Sequence, residues 1–335
     1  MSYNLFENFS LKKYNTFSVE AKAKIFIEFG NFNDLFSYLK TTKEKNILII
    51  GSGSNILFTG DFNGIVIHPV NKGIKITEEN SEFVEIKASA GEIWDDFVKF
   101  TIEMNFWGLE NLSYIPGTVG ATPVQNIGAY GVEIKNFIAY TIAYDILKFE
   151  KKMFTNAECK FGYRDSIFKN IYKNKYIIEE VVYRLSKSPK PVLTYGVLAK
   201  ELNNVENIDQ NIIRQKIIEI RKNKLPEPSE KGNAGSFFKN PYIDIKKAEE
   251  LKKNYDDLQY YQECEKVKIP AAWLIEKCGW KGKNVGNVGV YDKQALILIN
   301  NGAATGKEIF DLSEEIKKSV FNKFGIWLER EVQVI

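Results

Sequence analysis

Short alternating runs of hydrophobic and polar residues dominate the first part of the chain, and such runs predict β-strands joined by turns. Two longer stretches instead repeat apolar residues at helical spacing, at 31–45 and 92–105. The predicted strands cover 24–30, 64–70, 73–77, 83–89, 137–150 and 176–186. The first part is therefore predicted to be mostly β-sheet with two amphipathic helices.

The pattern changes after the proline-containing stretch S-K-S-P-K-P at 186–191, which is typical of a domain boundary. Helical periodicity then dominates, at 208–223, 245–254, 270–278 and 305–324, with strands predicted at 294–300 and 326–335. The chain is thus predicted to be an α+β protein with domains at 17–188 and 189–335. We leave open whether the last strand packs back on the N-terminal part.

Composition narrows the functional classes. The 335 residues carry 46 basic and 43 acidic side chains, a net charge of +3, which argues against a general nucleic-acid binder. The three cysteines, Cys159, Cys264 and Cys278, are too scattered for a disulfide framework or a metal-ligand spacing, so no metal is expected. The lone histidine, His68, stands at a predicted strand end and is interpreted as structural. Multi-histidine sites are therefore not expected.

Hydrophobic segments give no sign of a membrane protein. No apolar run approaches the roughly 18 residues that a membrane helix needs. The N-terminal residues lack the apolar core of a secretory signal. We therefore expect a cytoplasmic protein without membrane insertion.

The first candidate for ligand binding is G-S-G-S-N at 51–55, directly after an apolar strand. Glycines allow the backbone to approach a phosphate closely, and successive N–H groups can surround an anion. The motif is not a Rossmann fingerprint, because Ile56 stands where the third glycine would be, and no P-loop lysine follows. A tight structural turn is an equally good interpretation of these residues alone.

The second candidate is the stretch 108–131, which contains five glycines, two prolines and two asparagines. An irregular segment of this length inside a compact domain is usually functional. Its small residues allow the backbone to contact a large flat or charged ligand. Interleaved apolar residues such as Ile115, Val119 and Val124 argue against a simple surface loop.

The string I-P-G-T-V-G-A-T-P-V-Q-N-I-G-A-Y-G in this stretch resembles the UDP-N-acetylenolpyruvoylglucosamine reductases, flavoenzymes of peptidoglycan precursor synthesis. Further motifs match that family in order along almost the whole chain. They are N-T-F (15–17), G-S-G-S-N (51–55), F-G-Y-R-D-S-I-F-K (161–169), L-T-Y-G (193–196), K-L-P-E-P (224–228), G-N-A-G-S-F-F-K-N-P (232–241), A-A-W-L-I-E (271–276), Q-A-L-I-L-I-N-N (294–301) and W-L-E-R-E-V (327–332).

This resemblance implies an FAD-binding domain of the vanillyl-alcohol oxidase (PCMH) type, followed by an α+β domain that binds the UDP-sugar. It also implies the reaction: NADPH reduces FAD, and the enolpyruvyl ether of the UDP-sugar then accepts the hydride to give UDP-N-acetylmuramate. The expected partner is a small-molecule UDP-sugar, and the expected oligomeric state is a monomer.

The family pattern marks three catalytic residues. Hydride addition to the enolpyruvyl group pushes negative charge toward its carboxylate, which a fixed cation stabilises, and Arg164 matches that cation. Ser236 matches the proton donor to the α-carbon, and Glu331 matches the carboxylate that orients the substrate or helps to deliver the proton. From the residues alone, Arg164 could equally form a surface ion pair with Asp165, and Ser236 could be a turn or helix-capping serine.

The resemblance also marks binding residues. Those implied for FAD lie in the two glycine-rich stretches: Gly51, Ser52, Gly53, Ser54, Asn55, Tyr114, Pro116, Gly117, Gly120, Asn126, Gly128 and Ala129. Those implied for the UDP-sugar are Tyr195, Lys224, Asn240 and Gln294.

Two positions depart from the family pattern. Gln333 stands where some members carry arginine, and Thr122 stands where serine or alanine is usual. The residues around Y-G-V-L at 195–198 place the chain in the class with a tyrosine loop. Two other functions fit parts of the sequence: an oxidase with the same FAD fold, and a nucleotide-binding protein that has lost catalysis.

Overall fold

The computed structural model describes residues 3–263 and 265–335, so Cys264 lies outside the described residues. The chain forms two compact units. The first unit contains the described residues up to Phe9, together with Ala23–Ser52 and Asn63–Arg221. The second unit contains Ser10–Lys22, Gly53–Phe62 and Lys222–Ile335.

These units divide the chain differently from the predicted domains, 17–188 and 189–335, which stay a prediction. Residues 189–221 belong to the first unit, and two N-terminal segments, 10–22 and 53–62, belong to the second. The chain therefore enters the second unit three times, so one cut in the sequence does not separate the two.

The described residues contain short and long strands in both units. In chain order these are β1 (Tyr3–Ser10), β2 (Lys22–Phe29), β3 (Ile47–Ile49), β4 (Ile56–Leu57), β5 (Phe62–Pro69), β6 (Ile74–Glu79), β7 (Phe83–Ser89), β8 (Gly128–Ala129), β9 (Val132–Glu133), β10 (Ile138–Asp145), β11 (Lys151–Thr155), β12 (Tyr176–Ser186), β13 (Tyr242–Asp244), β14 (Tyr261–Glu263), β15 (Lys266–Lys268), β16 (Asn284–Val285), β17 (Val288–Val290), β18 (Leu298–Asn300) and β19 (Gln333–Val334).

The helices are likewise given in chain order. They are α1 (Phe32–Thr41), α2 (Trp94–Glu103), α3 (Gly196–Leu202), α4 (Gln210–Lys224), α5 (Ile245–Asn254), α6 (Ala271–Lys277) and α7 (Gly306–Phe324).

Two sheets form the frame of the first unit. One has the strand order β1-β2-β5-β3, and the other has the order β11-β10-β12-β7-β6. Helix α1 buries its apolar face, including Leu35 and Phe36, in the same core as Ile65 and Ile67 of β5. Helix α2 buries Trp94 and the rest of its apolar face in a second, larger core. Each amphipathic helix thus covers apolar side chains of the unit, as its spacing predicts.

The second unit is built from small sheets around α7. Its three-stranded sheets have the orders β13-β15-β14 and β16-β17-β18. Helix α7 begins with a capping box between Thr305 and Glu308 and ends at Phe324, followed by the capping residue Gly325 with φ 63°. Strand β19 pairs in parallel with β4, so the end of the chain pairs with residues 56–57.

The predicted elements agree with the structure to different degrees. Helix α5 has the predicted bounds, 245–254. The long strand predicted at 326–335 is wrong in extent, because regular pairing is confined to β19 and Arg330 forms only an isolated bridge with Phe238. The sequence pattern also missed β1 and α3. Helix α3 has seven residues, too few for a clear helical period.

Candidate functional site

The predicted site residues fall in both units, and each group is described within its own unit. The first unit holds Gly51, Ser52, Tyr114, Pro116, Gly117, Gly120, Asn126, Gly128, Ala129, Arg164 and Tyr195. The second unit holds Gly53, Ser54, Asn55, Lys224, Ser236, Asn240, Gln294 and Glu331. The division between the units thus falls inside the G-S-G-S-N motif, between Ser52 and Gly53.

Both glycines of this motif stand where a side chain does not fit. A Cβ at Gly51 would lie 2.8 Å from the Thr118 hydroxyl oxygen. Gly53 has φ +65°, and a Cβ there would lie 2.0 Å from the carbonyl oxygen of Tyr14. Between them, the buried Ser52 hydroxyl has no hydrogen-bond partner among the described residues. The close contacts explain why glycine stands at both positions. The Ser52 hydroxyl is left as a buried hydrogen-bond donor shortly after β3.

The first half of the 108–131 stretch lies along the residues just before α2. Its backbone forms a series of hydrogen bonds there: Trp94 N–H to Gly117 O at 3.1 Å, and Gly120 N–H to Ala90 O at 2.9 Å. A Cβ at Gly120 would lie 2.6 Å from the Ala90 Cβ. Glycine is therefore needed for this close approach of two backbones.

The second half of the stretch is fixed by Asn126, a fully buried residue with φ 47°. Its side-chain amide donates to the carbonyl of Gly162 at 2.8 Å, and its side-chain oxygen accepts from the Lys135 backbone N–H at 3.0 Å. Asn126 thus connects the glycine-rich stretch to the turn that carries Arg164.

Arg164 lies in a tight turn in which the N–H of Gly162 donates to the Asp165 carbonyl at 3.0 Å. Its φ of 54° is in the left-handed region, which costs an ordinary residue about 1–2 kcal/mol. The guanidinium donates from Nη2 to the carbonyl oxygen of Gly128. A left-handed backbone therefore holds this cation against the glycine-rich stretch, and the structure brings Arg164, Asn126 and Gly128 together.

Three charged residues around Tyr114 and Tyr130 were missed by the sequence reasoning: Asp95, Arg214 and Arg221. Asp95 accepts the Tyr114 backbone N–H at 2.5 Å and pairs with Arg214 at 2.7 Å. Arg221 donates from Nε to the Tyr114 carbonyl at 2.9 Å. The spacing of Arg214 and Arg221 places them on one face of a predicted helix, but nothing in the sequence indicates their partners.

Burial alone would raise the pKa of Asp95, yet Arg214, the Tyr114 N–H and Arg221 outweigh it and hold the pKa below the ordinary value. Desolvation lowers the pKa of the Arg221 guanidinium, and its hydrogen-bonded neighbour Tyr130 opposes that change. The Tyr130 ring also meets Tyr195 edge-on, with centroids 5.7 Å apart. Tyr195, predicted to bind the UDP-sugar, directly precedes α3 and is 44% exposed.

In the second unit, Ser236 follows Gly235, which has φ +68°. Ser236 forms a β-bridge with Ile297, and the next residue, Phe237, donates its N–H to Leu296 O at 2.8 Å. Gln294 lies at the start of that neighbouring segment and accepts the Leu296 N–H on its side-chain oxygen at 3.3 Å. Ser236 therefore does not begin a helix; it lies beside the segment that carries Gln294.

Glu331 lies beside the segment that contains Ser236 and Phe237, on the side opposite to Leu296. Its N–H donates to the carbonyl of Phe237 at 2.9 Å, and its own carbonyl accepts from the Asn55 side-chain amide at 3.3 Å. Glu329, two residues earlier, has a different environment, because its 72%-exposed side chain pairs with Lys239 at 2.6 Å. The structure therefore brings Ser236, Glu331, Asn55 and Gln294 onto neighbouring segments and leaves Glu329 in a surface ion pair.

The other two predicted sugar-binding residues lie at helix ends. The Asn240 side-chain oxygen accepts the Ala271 N–H at 2.9 Å and so fixes the start of α6. Lys224 is the last residue of α4. Desolvation by the surrounding protein lowers its pKa, and the nearby Lys281 ammonium lowers it further. A second cation beside Lys224 suits an anionic ligand such as a diphosphate.

The two departures from the family pattern have defined environments. The Thr122 hydroxyl is buried, donates to the Val119 carbonyl at 2.8 Å and lies 2.7 Å from the Tyr183 hydroxyl. Gln333 donates its backbone N–H to the Asn55 carbonyl at 3.0 Å. Its backbone thus contributes to β19 whatever its side chain binds.

The site residues suit FAD. A large cofactor with a pyrophosphate and a flat ring needs close backbone approach, unpaired buried donors and little side-chain bulk. In the first unit, Gly51, Gly120 and the buried Ser52 hydroxyl meet these needs. None of the helices in the described part of the chain combines the length and hydrophobicity that a membrane span needs. The described residues also contain no group of three His, Cys, Asp or Glu side chains placed to hold a metal.

Two family models match parts of this chain. Residues 23–147 match the family model described as "FAD binding domain", and residues 227–335 match that of the "UDP-N-acetylenolpyruvoylglucosamine reductase, C-terminal domain". The predicted α+β fold class, an FAD-binding domain followed by a second domain, is confirmed.

Relatives with high similarity cover nearly the whole chain. The UDP-N-acetylenolpyruvoylglucosamine reductase of Flavobacterium johnsoniae is 49% identical over 98% of this chain and 98% of its own, and that of Bacteroides fragilis is 40% identical over 98% and 99%. The crystal structure of the Thermus caldophilus enzyme of that name, 20% identical, shares the fold with a TM-score of 0.67 over 100% of this chain and 99% of its own. The chain belongs to the UDP-N-acetylenolpyruvoylglucosamine reductase family.

Proposed function

We propose that this protein reduces UDP-N-acetyl-3-O-(1-carboxyvinyl)-glucosamine to UDP-N-acetylmuramate with NADPH, a step of peptidoglycan precursor synthesis. The observation that carries the proposal is end-to-end similarity, at 49% identity, to a reductase of that name. The presence of Arg164, Ser236 and Glu331 at the positions that the family pattern marks supports it further. The enzyme is then an FAD-dependent oxidoreductase acting on a CH–CH group. Bound FAD supplies a carrier that accepts a hydride from NADPH and returns it to the substrate.

Arg164 is assigned to the substrate carboxylate. Negative charge grows on the enolpyruvyl group as its terminal carbon gains hydride, and a guanidinium placed beforehand stabilises that charge without reorganisation. The left-handed backbone at Arg164 and the bond from its Nη2 to Gly128 fix the cation at the glycine-rich stretch. A positioned, permanently charged group is what this step requires.

Ser236 is assigned to protonation of the substrate α-carbon, with Glu331 as its supporting carboxylate. A serine hydroxyl is a weak acid, but a carbanion is a strong base, so position matters more than acidity. The backbone hydrogen bond from Glu331 to Phe237 joins the segment of Glu331 to the segment that carries Ser236. The Glu329 side chain is 72% exposed and already paired with Lys239, which favours Glu331 over Glu329 for this role.

The binding residues are assigned by the same pattern. We propose that the two glycine-rich stretches hold FAD through the twelve residues from Gly51 to Ala129 named above. Tyr195, Lys224, Asn240 and Gln294 are assigned to the UDP-sugar, with Lys224 at the diphosphate. Because NADPH and the UDP-sugar are small metabolites of the cell interior, we further propose that the enzyme acts in the cytoplasm. We also propose that it is a monomer.

The test is spectroscopic. The purified protein, loaded with FAD, receives NADPH and then the UDP-enolpyruvyl sugar in turn without air. The flavin absorbance should fall with NADPH and return only with the sugar. A flavin that loses its colour but ignores the sugar would favour an oxidase of the same fold. A protein that takes up no FAD would refute the proposed function.

A further inference from the structure

The backbone of Tyr114 is held on both sides by charged side chains. Its N–H donates to Asp95 Oδ1 at 2.5 Å, and its C=O accepts from Arg221 Nε at 2.9 Å. Asp95 is in turn gripped by Arg214 through two parallel bonds of 2.7 and 2.8 Å. A bidentate pair of this kind fixes orientation as well as position.

This arrangement is more than a surface ion pair. The side chains of Arg214 and Asp95 are only 15% and 25% exposed. Tyr114 itself has φ 60°, a left-handed conformation that a tyrosine adopts only where its surroundings enforce it. Partly buried, charge-assisted bonds to both polar groups of its peptide provide that enforcement.

One helix supplies both arginines. Arg214 and Arg221 lie seven residues apart on α4 and so share a face of the helix. Arg221 also hydrogen-bonds Tyr130, which has φ 49° and stands at the far end of the glycine-rich stretch. Helix α4 therefore contacts that stretch near both of its ends.

We propose that Asp95, Arg214 and Arg221 form a clamp that positions the 114–131 stretch for FAD, with Tyr114 as the residue that the clamp holds. They are positioning residues that act through the backbone of Tyr114. The inference rests on the proposed function, because it assumes that this stretch binds FAD. It predicts that loosening the clamp weakens FAD binding more than it weakens the fold.

The test compares FAD affinity and local backbone protection in the wild type and five variants of the full chain, one of which is a double variant that combines Arg214→Met with Asp95→Asn. Arg214→Met removes the bidentate partner, Arg214→Lys keeps the charge but not the paired geometry, and Asp95→Asn removes the acceptor charge. The matched control is Arg184→Met, which breaks another two-bond pair of the first unit, with Glu85 at 2.6 and 2.9 Å. FAD dissociation constants come from titration of apoprotein, and amide hydrogen exchange is followed at Tyr114–Gly117.

We expect the FAD dissociation constant to rise about tenfold in Arg214→Met and Asp95→Asn, less in Arg214→Lys, and not in the control. The double variant should be no worse than the worse single variant, since both remove one interaction. Exchange at Tyr114 in the apoprotein should speed up in the same order. Unchanged FAD affinity and exchange in the Arg214 variants would overturn the clamp. A wild-type chain that binds no FAD would instead overturn the proposed function.

Discussion

The backbone N–H of Glu331 donates to the carbonyl oxygen of Phe237 at 2.9 Å, and Phe237 directly follows Ser236. The hydroxyl and the carboxylate proposed for proton delivery are thus carried by two paired segments of one unit. Gly235, with φ +68°, leads into the segment of Ser236, and Asn55 bonds the carbonyl of Glu331. The relative position of the two groups is therefore set by backbone hydrogen bonds.

Ser236→Ala should leave flavin reduction by NADPH intact and slow the oxidation of the reduced enzyme by the UDP-sugar. The hydroxyl is needed only when the α-carbon takes up its proton, which follows the NADPH half-reaction. Stopped-flow absorbance of the two half-reactions separates them. Reoxidation at the wild-type rate would remove Ser236 from proton delivery.

Glu331→Gln should slow the same oxidative half-reaction, whereas Glu329→Gln should not. The two residues have the same chemistry and lie two positions apart, but the Glu329 side chain is 72% exposed and pairs with Lys239. Because the Lys239 side chain is only 14% exposed, Glu329→Gln leaves a mostly buried ammonium beside a neutral amide, and thermal unfolding of both variants shows whether each stays folded. Equal slowing in both variants would show that the loss of charge, and not the position of Glu331, matters.

Arg164→Ala should raise the barrier of substrate reduction by about 3 kcal/mol, by analogy with the removal of one donor that stabilises an oxyanion. The measurement is the single-turnover rate of the reduced enzyme with the UDP-sugar. Arg164→Lys keeps the charge without the paired donors and should recover part of the rate. An unchanged rate in Arg164→Ala would return this residue to a structural role in its turn.

Lys224 should make UDP binding sensitive to alkaline pH. Desolvation and Lys281 lower its pKa in the folded protein below the ordinary 10.5, so the ammonium loses its proton earlier than an exposed lysine. Affinity for UDP, measured by calorimetry, should therefore fall as the pH rises through that lowered pKa. Lys224→Arg should move the fall to higher pH, and Lys224→Ala should bind weakly at every pH. The same fall with pH in Lys224→Ala would assign it to another group.

Through Lys224, a rise in pH should affect the stability of the fold and the affinity for UDP in opposite directions. Because the folded-state pKa of Lys224 lies below its unfolded value, the charged form disfavours the fold at neutral pH. This penalty begins to shrink as the pH rises past the folded pKa and is gone above the unfolded pKa. Because Lys224 is exposed to solvent, which screens this effect, Lys224→Ala should change the free energy of unfolding at neutral pH only slightly. Thermal unfolding of the two proteins checks this directly.

Gly53→Ala should destabilise the protein by more than about 2 kcal/mol. Its φ is +65°, and the new Cβ would lie 2.0 Å from the Tyr14 carbonyl oxygen, which is backbone and cannot rotate away. Gly60 is the matched control, because no atom lies within 4 Å of a Cβ built there. Chemical denaturation should show Gly60→Ala within about 1 kcal/mol of the wild type. Similar losses in both variants would contradict the steric argument.

The sequence was most informative where the physical signal is local. The apolar spacing of 245–254 is a property of one helix, and α5 has those bounds. The ordered motifs predicted the family, the FAD-binding class and the three residues proposed for catalysis. The predicted strand at 326–335 was wrong in extent because alternation is also a local signal. It shows that a segment suits a strand, but it does not show whether a neighbouring strand pairs with the whole segment.

The sequence by itself determined the fold class and the identity of the chemical groups, because glycine-rich stretches, charged side chains and periodicity are properties of short segments. Only the tertiary structure decided which groups meet. Asp95 and Arg214 are 119 residues apart, and Asn55 and Glu331 are 276 residues apart. Contacts at such separations depend on how whole elements pack together, so spacing along the chain does not encode them. The family pattern marks Glu331 and not Glu329, but the ion pair of Glu329 with Lys239 and the clamp on Tyr114 could not be predicted.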